Sequence, residues 1–256
     1  LLDTLLAVNG RIHTRVENPV VREQMRERYR PRLNPALRDA VDRGVMERQA
    51  RIHETIAARR AFVEAKDWAR PVVWENNFDT EADAARFVSA GNALEVADGF
   101  LNIQGRGHTH AFLEFPLDAE VSGFEVRLLP DTDQGMSWGP GMALVLENGA
   151  RIRANARSDG RFQGVVWDSE FLAGDNDPKR WVQLRVRWEG TRGVMEHSHD
   201  GVHYTPYADF PMRAGVPKAA RILIGKTSPI AKPEDNKDDA GLPGACRIDW
   251  ARVYGK

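Results

Sequence analysis

The stretch Trp181-Val182-Gln183-Leu184-Arg185-Val186-Arg187-Trp188-Glu189-Gly190, continuing through Gly193-Val194-Met195-Glu196-His197-Ser198-His199-Asp200-Gly201, decides the fold. Val182, Leu184, Val186 and Trp188 alternate with Gln183, Arg185 and Arg187. Successive side chains of a strand point to opposite faces, so this alternation gives one apolar and one polar face. Glu189-Gly190 and Asp200-Gly201 then supply turns, so the stretch predicts antiparallel strands joined by short connections.

The same period runs outward in both directions. Phe124, Val126 and Leu128 alternate with Glu125 and Arg127. Asp98-Gly99 separates Leu94–Val96 from Phe100–Ile103, the pattern of a tight hairpin. Further strands are expected at Val72–Glu75, Ala111–Leu117, Gly141–Glu147, Ala150–Ala156, Arg161–Trp167, Ala220–Gly225 and Arg247–Tyr254. Many short strands with few intervening helices predict an antiparallel two-sheet jelly-roll sandwich over 71–256. The Pro-, Asp- and Lys-rich segment 229–244 reads as a long exposed loop.

Upstream the period changes. Asn34-Pro35 is a helix start, and Leu37, Val41, Val45, Ile52 and Ile56 recur at helical spacing. Residues 1–70 are therefore expected to form an α-helical arm or hairpin. Such a stripe is not stable alone and needs the preceding helices, the sandwich or another chain to cover it. Those five residues are the candidate contact with a protein partner.

The 256 residues carry 42% hydrophobic and 29% charged side chains, the balance of a soluble globular chain. A net charge of −1 does not build the basic surface that nucleic acid requires. No run approaches the roughly 18 apolar residues of a membrane span. The single cysteine, Cys246, excludes an internal disulfide. The chain begins at Leu1 rather than Met, which fits a processed product and an extracytoplasmic (periplasmic or cell-surface) location.

Several segments resemble the concanavalin A-like lectin and glucanase superfamily, in particular its laminin-G-like modules. They are Trp74-Glu75-Asn76-Asn77-Phe78-Asp79, Gly123-Phe124-Glu125-Val126-Arg127, Trp181-Val182-Gln183-Leu184-Arg185-Val186, Ser198-His199-Asp200-Gly201-Val202-His203-Tyr204 and Ile248-Asp249-Trp250-Ala251-Arg252-Val253-Tyr254. The resemblance spans about residues 72–256 and implies the jelly-roll fold. It also implies that a hydrolase on this fold would carry two or three carboxylates on one strand, as E-x-D-x-E or E-x-D-x-x-E. Neither pattern occurs in this sequence, which argues against catalysis.

A polar stripe offers a site of another kind. Arg151, Arg153 and Arg157 share a strand face with Asn155, and Arg185 lies on a second such face. Trp138 sits in the Gly-rich segment 134–141, and Trp167 closes the strand after the arginines. Exposed indoles stack on sugar rings, and guanidinium forks hold carboxylate or sulfate. Asp131 and Asp133 offer oxygen ligands for calcium, and His108 and His110 form an H-x-H pair that can ligate a metal. The expected function is a non-catalytic module that recognises a glycan or another surface ligand. The alternatives are a structural accessory subunit of a larger, possibly membrane-associated assembly, docked through its N-terminal helices, and a glycan-active enzyme with an unrecognised site.

Overall fold

The computed structural model describes Trp68 and residues 70–79, 86–89, 92–228 and 241–256, together with isolated positions between 36 and 61 whose backbone is helical. The chain divides into two compact units, Leu1–Ala61 and Phe62–Lys256. The stripe Leu37, Val41, Val45, Ile52 and Ile56 lies outside the described residues, as does most of the expected loop 229–244.

The second unit is a sandwich of two antiparallel sheets. Its strands are β1 (Val72–Asn76), β2 (Arg86–Ser89), β3 (Ala93–Ala97), β4 (Phe100–Arg106), β5 (Ala111–Ala119), β6 (Val121–Leu129), β7 (Pro140–Leu146), β8 (Arg151–Ala156), β9 (Phe162–Val166), β10 (Ser169–Ala173), β11 (Val182–Glu189), β12 (Arg192–Ser198), β13 (Thr205–Pro211), β14 (Ala219–Lys226) and β15 (Pro243–Gly255). One sheet runs β13-β12-β11-β6-β15-β4-β3, with β1 also paired to β15, and the other runs β10-β9-β8-β7-β14-β5-β2. Neighbours in space are distant in sequence, as in β14 between β5 and β7, which is the crossing pattern of a jelly roll.

The alternation that predicted the fold also builds its core. Val182, Leu184, Val186 and Trp188 of β11 are at most 2% exposed. They meet Leu144, Ile152, Phe162 and Val166 of the opposite sheet in one continuous cluster. Each such side chain contributes about 1.5–3 kcal/mol by leaving water. The sheets approach closely at Gly164, where an added Cβ would lie 1.8 Å from the Met195 sulfur. The Asp98-Gly99 turn has both residues at positive φ, 56° and 75°, the geometry of a two-residue hairpin. One edge of the larger sheet is β13, which carries Pro206 and Pro211.

Candidate functional site

The two sheets present outward faces of different chemistry. On the seven-stranded sheet the register places Glu114, Leu223, Ala143, Arg153, Val165 and Glu170 in one row across β5, β14, β7, β8, β9 and β10. The next row holds Phe112, Gly225, Gly141, Asn155 and Gln163. These side chains point away from the core, yet Arg153, Asn155 and Gln163 are at most 1% exposed.

Arg153 is the centre of this face. Its Nε donates to Thr227 Oγ1 at 3.0 Å and its Nη1 to Gln163 Oε1 at 3.2 Å. Its Nη2 donates to the carbonyl oxygens of Ser137 and Thr227, both at 2.8 Å. All four acceptors are neutral. Burial, reinforced by the neighbouring Arg151, brings its pKa down to about 9, so the group remains a cation at neutral pH. Glu170 is reached only at one remove, through Gln163 Nε2.

The neighbours share this charge unevenly. Arg151 Nη1 donates to Ser228 O at 3.1 Å. Arg157 is buried and donates to both carboxylate oxygens of Asp159, at 3.0 and 2.8 Å, so its charge is compensated locally. Asp159, which Arg161 also holds, titrates far below the usual carboxylate range. His110 packs edge-on to Trp138 and Phe112, with ring centroids 4.8 and 5.5 Å away. Burial first, then the positive charges of Arg151 and Arg153, lower its pKa to about 4.

The sequence-derived candidates separate into two groups. Trp138, Arg151, Arg153 and Arg157 come together, because the 134–139 loop lies on β8. Trp138 is only 9% exposed, so it is a wall of this face and not the exposed stacking platform expected from its loop. The glycines explain the difference: a Cβ on Gly139 would lie 1.8 Å from the Ala156 carbonyl oxygen. Trp167, at φ 56°, sits in the turn after β9, packed on the core with Arg213 over its ring at 4.7 Å. Arg185 belongs to the other sheet, bonded to Glu196 at 2.8 Å with its guanidinium 3.5 Å from the Tyr204 ring centroid.

The expected calcium ligands are already engaged. Asp133 is paired with Lys226, and its other oxygen accepts from Gly135 N at 2.9 Å. Asp131 is bonded to Lys179 at 2.8 Å. Among the described residues no three His, Cys, Asp or Glu groups stand together as a metal site. Thr227, Ser137, Glu170 and Lys226 are members of this region that pattern reading did not single out. Thr227 and Lys226 are joined to it by contacts far apart in sequence, 74 residues from Arg153 and 93 from Asp133.

The described unit is a concanavalin A-like jelly-roll sandwich. No family model matches the chain, and no curated protein does. Among solved structures it resembles a non-specific endo-β-1,3(4)-glucanase of family GH16, at 14% identity and a TM-score of 0.53, over 73% of this chain and 93% of that one. A laminarinase from Flavobacterium sp. UMI-01 gives 12% identity and a TM-score of 0.53, over 72% of this chain and 100% of that one. A structure described with endo-acting O-glycanases of the human gut microbiota gives 12% identity and a TM-score of 0.52, over 72% and 99%. The likeness is one of fold. It nevertheless corrects the expectation of a sandwich for binding rather than catalysis, since these counterparts are glycan-cleaving enzymes matched over nearly their whole length.

Proposed function

We propose that this chain is a glycan-active protein, with its saccharide lying along the outward face of the seven-stranded sheet. The observation that carries this reading is Arg153, a buried guanidinium that faces away from the core and is held only by neutral acceptors. Burying a charge without a counter-charge costs stability, and such costs collect at functional sites. Asn155, two residues along the same strand, has a buried side-chain oxygen with no hydrogen-bond partner among the described residues. The fold shared with glycan-cleaving enzymes gives the proposal its class.

The chemistry would differ from hydrolysis by two carboxylates of one strand. The outward positions of β8 carry Arg151, Arg153 and Asn155 and no acid. Glu114 and Glu170 stand five strands apart, about 24 Å at the usual strand spacing, against the ~5–9.5 Å of a hydrolytic pair. Glu114 and Asp118 of β5 are four residues apart, about 13 Å along an extended strand. The polysaccharides that such proteins meet lie outside the cytoplasm, and we place the chain there.

The test is incubation of the full chain with β-1,3-glucan, mixed-linkage β-glucan, mucin glycans and a uronic-acid polysaccharide. New reducing ends are measured together with ultraviolet absorbance for unsaturated ends. Product from at least one substrate, reduced in Arg153→Leu, is expected. Absence of product from every substrate after prolonged incubation at micromolar protein overturns the proposal.

A further inference from the structure

Away from the arginine-bearing face, the β12–β13 connection carries His199 and His203 at the rim of a cavity of about 260 Å³. Arg180, Ser198, Asp200 and Thr205 complete the rim, with His197 below. His197 is not equivalent to the other two, because its ring lies stacked on Phe162 of the opposite sheet, centroids 4.6 Å apart.

His199 Nδ1 is 2.9 Å from the Trp181 carbonyl oxygen, which can only accept, so this nitrogen carries the proton. His203 Nδ1 is 2.7 Å from Asp200 Oδ2, a carboxylate oxygen, and it too must donate. In the neutral rings each Nε2 is therefore left with a lone pair. Asp200 is fixed for this role: its Oδ1 accepts from Ser198 Oγ at 2.9 Å, from Val202 N at 2.9 Å and from His203 N at 2.8 Å. Metal-binding histidines characteristically donate their second nitrogen to a carbonyl or carboxylate, which sets the tautomer and aims the ring. Here two rings four residues apart on one turn both have that support.

We propose that His199 and His203 bind a divalent transition-metal ion through their Nε2 atoms, with water filling the remaining positions. Imidazole donors suit Cu²⁺, Ni²⁺ and Zn²⁺, whereas calcium and magnesium need oxygen ligands. Arg180, the one cation of the rim besides the histidines, is exposed to solvent. The ion would fasten the turn between β12 and β13 and leave its water-bearing positions open to the cavity. Asp200 acts here as a positioning residue.

The experiment is calorimetric titration of the full chain with Cu²⁺, Ni²⁺ and Zn²⁺, repeated on His199→Ala, His203→Ala and Asp200→Asn. The His203 side chain is 86% exposed, so its removal does not compromise folding. One ion per chain, with Cu²⁺ bound more tightly than Ni²⁺ or Zn²⁺, is expected. His203→Ala should abolish measurable binding, and Asp200→Asn should weaken it about 10- to 100-fold. Three results overturn the proposal: no binding at millimolar metal, binding unchanged in His203→Ala, or binding that is lost in His108→Ala instead.

Discussion

The outward face of the larger sheet solves a problem that the outward face of the smaller one leaves open. Across β12, β11, β6, β15 and β1 the register lines up Glu196, Arg185, Glu125, Arg252 and Glu75, so that each charge has an opposite charge on the next strand. Arg187, fully buried, joins the same network through two bonds of 2.9 Å to Glu196. Glu125 also accepts from Tyr254 Oη at 2.7 Å and from Tyr204 Oη. On the smaller sheet the cross-strand neighbours of Arg153 are Ala143 and Val165. One face is compensated residue by residue and is complete in itself. The other holds a cation among neutral dipoles, the feature on which the proposed saccharide site rests.

The comparison can be broken most directly at Glu196. Glu196→Ala strips the carboxylate from Arg185 and Arg187, one of them fully buried, and is expected to cost about 3–5 kcal/mol in urea unfolding. A loss under about 1 kcal/mol would mean that the larger face does not depend on its charge rows.

Arg153→Leu removes a buried cation together with four hydrogen bonds. The acceptors lose their partners, but the desolvation cost of the charge disappears as well, so the expected loss is smaller, about 2–3 kcal/mol. If this variant is more destabilised than Glu196→Ala, the contrast between the faces is wrong.

His110 sharpens the comparison through pH. Its pKa is about 4 folded against 6.5 in the free side chain, so between these values the unfolded chain binds the extra proton. Its contribution is therefore full above pH 6.5 and is lost as pH falls toward 4. For a half-buried group, solvent screening reduces the effect to about 1–2 kcal/mol. Relative to His110→Phe, the parent should lose this amount as pH falls from 6.5 toward 4. Parallel profiles would show that neither burial nor the neighbouring arginines hold the ring neutral.

The smallest effect is expected at the rim of the charge rows. The Arg252–Glu75 pair is about one-third exposed at both ends, and Arg252→Ala should cost no more than about 1 kcal/mol. A larger loss would show that the rows act as one cooperative unit rather than as separate pairs.

The fold was readable because its signal is local. Val182, Leu184, Val186 and Trp188 declare their face by spacing alone, and the structure buries all four. The strand with Arg151 and Arg153 was readable for the same reason, with Arg157 one residue past its end. Its environment was not, because that depends on what lies above it. The sequence marks the 134–141 segment only as glycine-rich, and close seating on β8 turns Trp138 inward. Asp131 and Asp133 look like metal ligands until folding brings Lys179 and Lys226 to them from 48 and 93 residues away. Strand periodicity records which side a residue faces, but carries no record of its partner across the fold.

The prolines of β13 have a consequence for association. This strand is a margin of the larger sheet in the strand order, and the outward backbone groups of an edge strand can template the addition of a strand from another molecule. Pro206 and Pro211 have no N–H to offer, so an incoming chain would meet gaps in the donor series near both ends of the strand. The sheet is thereby given a boundary that resists polymerisation by strand addition along this side.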